Sequence, residues 1–511
     1  MTMPHNFVRC VLRWVMAPIF IGAFALLISG RAVQAQSGPA AVETLFLPLI
    51  DAESAALCRL GVNGDIRSID PGLLRLGWYV DYGATLNAVK PANVRYMPMI
   101  RLVQTNTGPR PYRYSLSANH APTTEQQLLD VIAANPGAEW FIGNEPDRRL
   151  LQDDIEPHIY AIAYHDLYHL IKNQDPTAKI IAGSIVQATE IRLQYLDMVL
   201  EAYRTRYGEP MPVDVWALHN FILNEASCAH FPESECWGAG IPPGIDAKEG
   251  LRVLVRDNDS FDLFKQQILR FRQWLVDRGY GGAPVYLSEY GVLMPNIFAP
   301  PDDFPPDRVN RFMNQTFDYI LKEAVDPQLG DPNDGYRLIQ RLSWYSVTDQ
   351  AFNGYLFQSD SNSNRLVLSP MGQNFSTYAA SIAKQVDFYP VHASIEAPPV
   401  PDGENTVDIT LRAIIANSGN NAAAQTARVR FYNGNPAGSG VQIGADQIVS
   451  LEGCGANQIA SVVWQDAPLG AHNLFVVVEP SSGLDNNPEN NTLRFSLYIG
   501  RERLYLPTLG R

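Results

Sequence analysis

The sequence predicts an α/β protein, a (β/α)8 barrel of the TIM type followed by an Ig-like antiparallel β-sandwich. Two observations predict it. Eight near-continuous apolar runs alternate with amphipathic helical segments between residues 57 and 390, as expected of parallel strands buried on both faces. After about Val391 the texture changes to short runs of alternating apolar and polar residues punctuated by Pro, Gly and Asn. A chain of 511 residues is also too long for one core of ordinary size.

The eight strands are read in "CRLGVNG", "GWYVDYG", "VRYMPMI", "EWFIGNEP", "KIIAGSIV", "VDVWALHNF", "VYLSEYGV" and "RLSWYSVTD". The clearest helix begins in "HIYAIAYHDLYHLIK". "FDLFKQQILRFRQWLVDRG" is long, apolar-periodic and stops at Gly279. "RFMNQTFDYILKEA" and "SPMGQNFSTYAASI" complete the later units. Eight βα units give the barrel. Roughly seven strands between residues 391 and 500 give the sandwich, and residues 501–511 form a tail.

The N-terminus reads as an export signal over residues 1–35. Arg9 and Arg13 precede the apolar "WVMAPIFIGAFALLISG", and Val33-Gln34-Ala35 supplies an Ala-x-Ala cleavage site, with a linker over 36–56. An uncleaved membrane anchor is the alternative. The chain is therefore expected to be secreted or held at the cell surface. Of five cysteines, Cys10 falls in the signal. Cys228 and Cys236 are close enough in "CAHFPESEC" to close a short disulfide loop in an oxidising compartment. Cys58 and Cys454 are expected to be free and buried.

A net charge of −14 argues against nucleic acid and anionic membrane surfaces, which need clustered Lys and Arg. His165 and His169 in "HDLYH" have the spacing of a helical zinc pair, but no third ligand is evident and the helix belongs outside the barrel. No metal and no cofactor is expected, and the chain is expected to be a monomer.

In such barrels the working residues sit at the C-terminal strand ends. Strand 4 ends in Asn144-Glu145, strand 6 in His219-Asn220, and strand 7 in Glu289-Tyr290, while strand 8 carries Trp344-Tyr345. Two glutamates at one barrel mouth are the chemistry of glycosidic bond cleavage. One protonates the departing oxygen, and the other attacks the sugar carbon or activates water. Flat rings for stacking against sugars are available in Trp78, Tyr79, Trp140, Tyr290, Trp344 and Tyr345. Taken singly, each glutamate could be a strand-end residue capping the next helix.

With those residues in hand, "GWYVDYG", "VRYMPMI", "GNEPD", "LHNF" and "LSEYG" resemble the clan of (β/α)8 retaining glycoside hydrolases. Within it they are most similar to the catalytic core family that includes β-1,3-glucanases, over about residues 57–390. The resemblance implies Glu145 as acid/base and Glu289 as nucleophile. It implies Asn144 as the ligand of the sugar 2-hydroxyl and Trp344 as the platform under the cleaved sugar. His219, Tyr290, Trp78 and Tyr79 are further substrate-binding candidates. The implied substrate is an external oligo- or polysaccharide such as β-glucan. One position departs from the pattern. Relatives commonly have a Tyr after the strand-6 His, whose hydroxyl orients the nucleophile, and here Phe221 stands there; Tyr290 or His219 is expected to substitute. The segment with "ANSGNNAA", "VRFYNG" and "NPENNT" resembles a CARDB adhesion-type module, which implies attachment to a cell surface. The competing reading is a non-catalytic surface protein whose barrel binds glycan or protein.

Overall fold

The computed structural model describes residues 56–500 apart from 106–112, 362, 364, 399, 401 and 402, together with the backbone of Leu504–Tyr505. The expected export signal and most of the expected linker lie outside the described residues. No described helix is long and apolar enough to cross a membrane.

The first body is a ring of parallel strands. In chain order they are β1 (Leu57–Asn63), β2 (Leu76–Val80), β3 (Arg95–Tyr96) and β4 (Met99–Ile100). A small hairpin of β5 (Leu102–Gln104) and β6 (Tyr114–Leu116) leaves the ring. Then come β7 (Glu139–Ile142), β8 (Lys179–Ile185), β9 (Val215–Leu218), β10 (Val285–Tyr290) and β11 (Arg341–Tyr345). The sheet runs β3-β2-β1-β11-β10-β9-β8-β7-β4. Its two ends, β3 and β4, are consecutive halves of the segment 95–100. The first half pairs with β2 and the second with β7. Pro98, which has no N–H to give a ladder, lies between the halves, and its carbonyl accepts from Phe141 N at 2.9 Å. The nine segments thus make eight barrel strands, with strand 1 paired to strand 8.

Six α-helices are described: α1 (Glu125–Ala134), α2 (Pro157–Gln174), α3 (Glu190–Tyr207), α4 (Phe261–Asp277), α5 (Pro306–Asp318) and α6 (Pro370–Ser381). The expectation of eight βα units is corrected here. Among the described residues, a 3-10 turn at Pro71–Leu74 is all that separates β1 from β2, and no helix separates β2 from β3. The 14 or fewer residues of each connection are too rich in Pro, Gly and Asn to propagate a helix. Where helices form, local chemistry explains them. Ser260 accepts from Leu263 N to cap α4, which buries Phe264, Ile268, Phe271 and Leu275 along one stripe. Burial of each such side chain contributes about 1.5–3 kcal/mol.

The C-terminal part has two antiparallel sheets. One is β14 (Phe388–Glu396), β15 (Thr406–Asn417) and β18 (Ala456–Pro468), reached after a hairpin of β12 (Phe357–Ser359) and β13 (Leu366–Leu368). The other contains β16 (Gln425–Asn433), β17 (Val441–Leu451), β19 (Gly470–Pro480), β20 (Thr492–Ile499) and β21 (Leu504–Tyr505). Side chains of both sheets, among them Phe388, Ile409, Ile415, Val429, Phe431, Val476 and Leu497, share one apolar core.

The two bodies are tied at the N-terminal end of the ring. Glu452, in the turn between β17 and β18, accepts from Arg95 and from Arg341 at 2.7 Å each. Arg95 also pairs with Glu139, which receives the Tyr286 hydroxyl at 2.9 Å. Arg59 grips Asp334 with both terminal nitrogens and donates to the carbonyls of Ser418 and Gly419. Cys58 of β1 is disulfide-bonded to Cys454 of that same turn. This overturns the expectation that both are free. They are 396 residues apart, and only docking of the turn under the barrel brings them together. Cys228 and Cys236 form the second disulfide, as expected.

Candidate active site

Each site residue stands where a strand of the ring runs out. Glu145 lies three residues beyond β7, His219 directly follows β9, and Glu289 is in the last turn of the pleat of β10. Four non-glycine residues at these ends hold a left-handed backbone: Tyr82 (φ 61°), Ser184 (φ 52°), Glu145 (φ 43°) and Asn220 (φ 68°). Such conformations persist when surrounding structure over-determines them, and they cluster at functional sites. The surrounding structure is visible at Glu145. Its N–H donates to Ser184 O at 3.1 Å. Two residues on, fully buried Asp147 is clamped by Arg192, which also binds Glu225 and the carbonyls of Ala239 and Gly240.

Glu145, His219 and Glu289 each bring one polar atom to within 4.8 Å of the others. His219 Nδ1 lies 3.0 Å from Glu145 Oε1 and 3.7 Å from Glu289 Oε2. Arg148 Nη1 donates to the other Glu145 oxygen, Oε2, at 3.0 Å. Tyr82 donates its hydroxyl to Glu289 Oε2 at 3.0 Å. Three converging donors of this kind could bridge a divalent cation. Arg148, already seated on Glu145, opposes a second positive charge there.

The two carboxyls sit in different fields. Burial alone would raise Glu145, but the Arg148 guanidinium and the His219 hydrogen bond bring it down to about 2. Burial raises Glu289 to about 7, helped by the nearby Glu145 charge and only partly offset by His219 and Tyr82. His219 is itself raised, because the charges of Glu289 and Glu145 outweigh its burial. The surroundings of Glu145 therefore favour its ionised form, and those of Glu289 favour its protonated form.

The remaining candidates divide by the face of the strand on which they stand. Past an irregularity in the pairing of β10 between Leu287 and Tyr290, Tyr290 turns away from the mouth, fully buried against Phe264 and bonded to Thr316. Trp344 likewise packs outward on Tyr290, Phe312 and Phe317, with Nε1 donating to Gly354 O. The next residue, Tyr345, is the half-buried aromatic that faces the pair, and burial and the Glu289 charge push its phenol well up. Trp78 lies inside the barrel against Tyr286, and Tyr79 donates to Val89 O beneath the surface. The aromatic residues expected to stack on sugar, Trp78, Tyr79, Tyr290 and Trp344, are thus core side chains in this structure.

Asn144 is beside Glu145 with Nδ2 on Gln152 and Oδ1 buried without a partner. Tyr82 and Arg148 were missed from sequence. Arg148 is legible in retrospect, since the spacing i, i+3 from Glu145 puts it within reach across a turn. Tyr82 carries no signal, because its contact depends on the path of the loop after β2. It stands on the nucleophile candidate where Tyr290 or His219 was expected to substitute for the missing Tyr; Tyr290 turns away, and His219 is closer to Glu145.

No family model matches the sequence, and no curated protein matches it. Solved structures to which the chain is similar include a glucosidase from Croceicoccus marinus, 10% identical over 81% of this chain and 94% of that one, with a TM-score of 0.39. A GH39 enzyme from Xanthomonas axonopodis pv. citri is 13% identical over 84% of this chain and 96% of that one, at a TM-score of 0.37. The CARDB domain of a Pyrococcus furiosus protein covers 23% of this chain and 90% of its own length, at 19% identity and a TM-score of 0.18.

Proposed function

We propose that the chain is a secreted retaining glycoside hydrolase, with residues 57–390 as the catalytic body and 391–500 as an accessory module for surface attachment. The observation that carries this reading is the pair of carboxyls from β7 and β10, whose oxygens approach within 4.8 Å at the C-terminal mouth of the ring. Retaining enzymes hold their carboxyls about 5–5.5 Å apart, whereas inverting enzymes leave room for a water. Glu289 attacks the anomeric carbon and forms the covalent glycosyl-enzyme. Glu145 protonates the leaving oxygen, then takes a proton from the water that hydrolyses the intermediate. Asn144, with an unpaired Oδ1, is the ligand for a sugar hydroxyl, and Tyr82 is the hydroxyl that orients Glu289. The substrate is an external oligo- or polysaccharide, with β-glucan the first neutral polymer to assay.

A second reading is a non-catalytic glycan- or protein-binding barrel. It is favoured by the depth of the pair, with Glu145 1% and Glu289 7% exposed, and by the burial of Trp344. Purified protein assayed on β-1,3-, β-1,4- and mixed-linkage glucans, xylan and aryl glycosides separates the two. Hydrolysis with retention by the wild type, reduced at least about 10^3-fold in Glu289→Gln, supports the enzyme. Hydrolysis undiminished in that variant removes Glu289 as nucleophile, and binding without cleavage supports the second reading.

A further inference from the structure

The carboxyl read as the acid is the one held by a cation. Glu145 has a partner on each oxygen, His219 at Oε1 and Arg148 at Oε2. To act as an acid it must take up a proton, with Glu289 as the nucleophilic carboxylate. The contact that resists this is the guanidinium of Arg148, because a cation at 3.0 Å favours the ionised carboxylate.

Arg148 is placed to be drawn off. Its side chain is 14% exposed and follows the buried Asn144–Asp147 turn at the rim. Its Nε is buried without a partner. That donor stays unsatisfied while the guanidinium sits on Glu145. A neutral sugar hydroxyl cannot compete with a carboxylate for a guanidinium, but an anionic group that binds two of its N–H donors at once can. The other groups around the pair are His219, Tyr82, Tyr345 and Asp349, none of which is a permanent cation.

We propose, on the strength of the glycosidase reading, that the substrate carries an anionic sugar beside the scissile bond and that Arg148 is the subsite for its negative charge. The sugar's anion takes the guanidinium from Glu145, and the acid is armed only when such a substrate is present. Arg148 is then a specificity residue that acts on Glu145 through an ion pair exchanged on binding. Two groups have the required chemistry, the carboxylate of a uronic acid and the half-ester of a sulfated sugar.

The test uses the full chain, wild type and as Arg148→Ala and Arg148→Lys, on uronate-containing oligosaccharides as free acids and as methyl esters. Matched neutral and sulfated oligosaccharides distinguish the source of the charge. The expected kcat/KM for one anionic series exceeds that for its neutral partner by at least about tenfold. That preference falls to near unity in Arg148→Ala and is partly restored in Arg148→Lys. Equal rates on charged and neutral partners in the wild type overturn the proposal and leave the glycosidase reading standing. So does a preference that survives Arg148→Ala. Absence of all hydrolysis overturns the glycosidase reading instead, and calorimetry then decides the subsite. Tighter binding of free uronate or of a sulfated sugar than of its neutral partner, lost in Arg148→Ala, keeps it, and equal binding removes it.

Discussion

The Tyr82 hydroxyl donates to Glu289 Oε2 at 3.0 Å, from the loop after β2 to the strand β10. It supplies a hydroxyl to Glu289 that Phe221, which has none, does not. Phe221 is buried and meets Tyr345 edge-on, so its ring packs the wall of the site and leaves Glu289 to Tyr82.

Tyr82→Phe removes the hydrogen bond and leaves the ring. A hydrogen bond to an ionised group contributes about 1.5–3 kcal/mol. The expected result is a fall in kcat of roughly tenfold or more on whichever substrate is cleaved. Glu289 is expected to titrate still higher, because Tyr82 is one of the groups that holds it down. A variant with unchanged kcat and an unchanged pH profile would remove Tyr82 from the mechanism.

The pH dependence follows from the pair as a unit. It carries one proton between about 2, where Glu145 ionises, and about 7, where Glu289 does. Above that range no acid remains, and below it no nucleophile. Activity is expected to fall as pH rises through about 7. Stability has the same sign at Glu289. Its folded value lies above the unfolded one, so ionisation opposes folding and stability is lost as pH rises from about 4.5 to about 7. Glu289→Gln is therefore expected to gain thermal stability over wild type more at pH 8 than at pH 4, measured by calorimetry at both.

Glu452→Ala leaves Arg95 and Arg341 facing a buried gap. Glu452 is partly exposed while Arg341 is almost wholly buried, so the loss is placed at about 2–3 kcal/mol, below that of a fully enclosed pair. Urea unfolding of wild type and Glu452→Ala checks this, and an unchanged midpoint would show that Glu139 alone satisfies the two arginines.

Acid acts on the same cluster. Burial would raise Glu139, but Arg95, Lys179 and Arg341 bring it down to about 2. A carboxyl lowered in the fold contributes stability above its unfolded value and loses it as pH falls from about 4.5 towards 2. In Glu139→Gln that acid-dependent loss is expected to be smaller, read from unfolding midpoints between pH 5 and 2.5.

The two disulfides should differ in weight. In chain-entropy terms, closing a loop of 396 residues contributes about 6 kcal/mol and closing one of 8 about 2.5. Cys58→Ser with Cys454→Ser is expected to lower Tm more than Cys228→Ser with Cys236→Ser. The reverse order would mean that the barrel and sandwich hold together without the covalent tie.

Much of the ring was legible because strands buried on both faces read as apolar runs, and β7, β9, β10 and β11 each appear in "WFIGNEP", "VWALHNF", "VYLSEYG" and "RLSWYS". The juxtaposition of Glu145, His219 and Glu289 followed from that frame, since strand ends in a ring point to one mouth. What escaped was set by position in space. Trp344 and Tyr345 are neighbours of similar chemistry, and only the pleat decides that the tyrosine faces the pair. Tyr82 reaches Glu289 across 207 residues. Cys58 and Cys454 offer no spacing to read, because their partnership is made by docking the β17–β18 turn onto the barrel.

That partnership has a consequence for how the molecule is born. A ribosome releases Cys58 long before Cys454 exists, so the first strand of the ring must wait, thiol in hand, for the last part of the chain. Until the turn with Glu452 arrives, Arg95 and Arg341 share one acid, Glu139, and Arg59 lacks the carbonyls of Ser418 and Gly419. A nascent barrel cut short near residue 390 would present an unpaired cysteine and exposed arginines on its underside. Those are features by which a cell's folding machinery recognises unfinished work, and the sandwich is the piece that seals it.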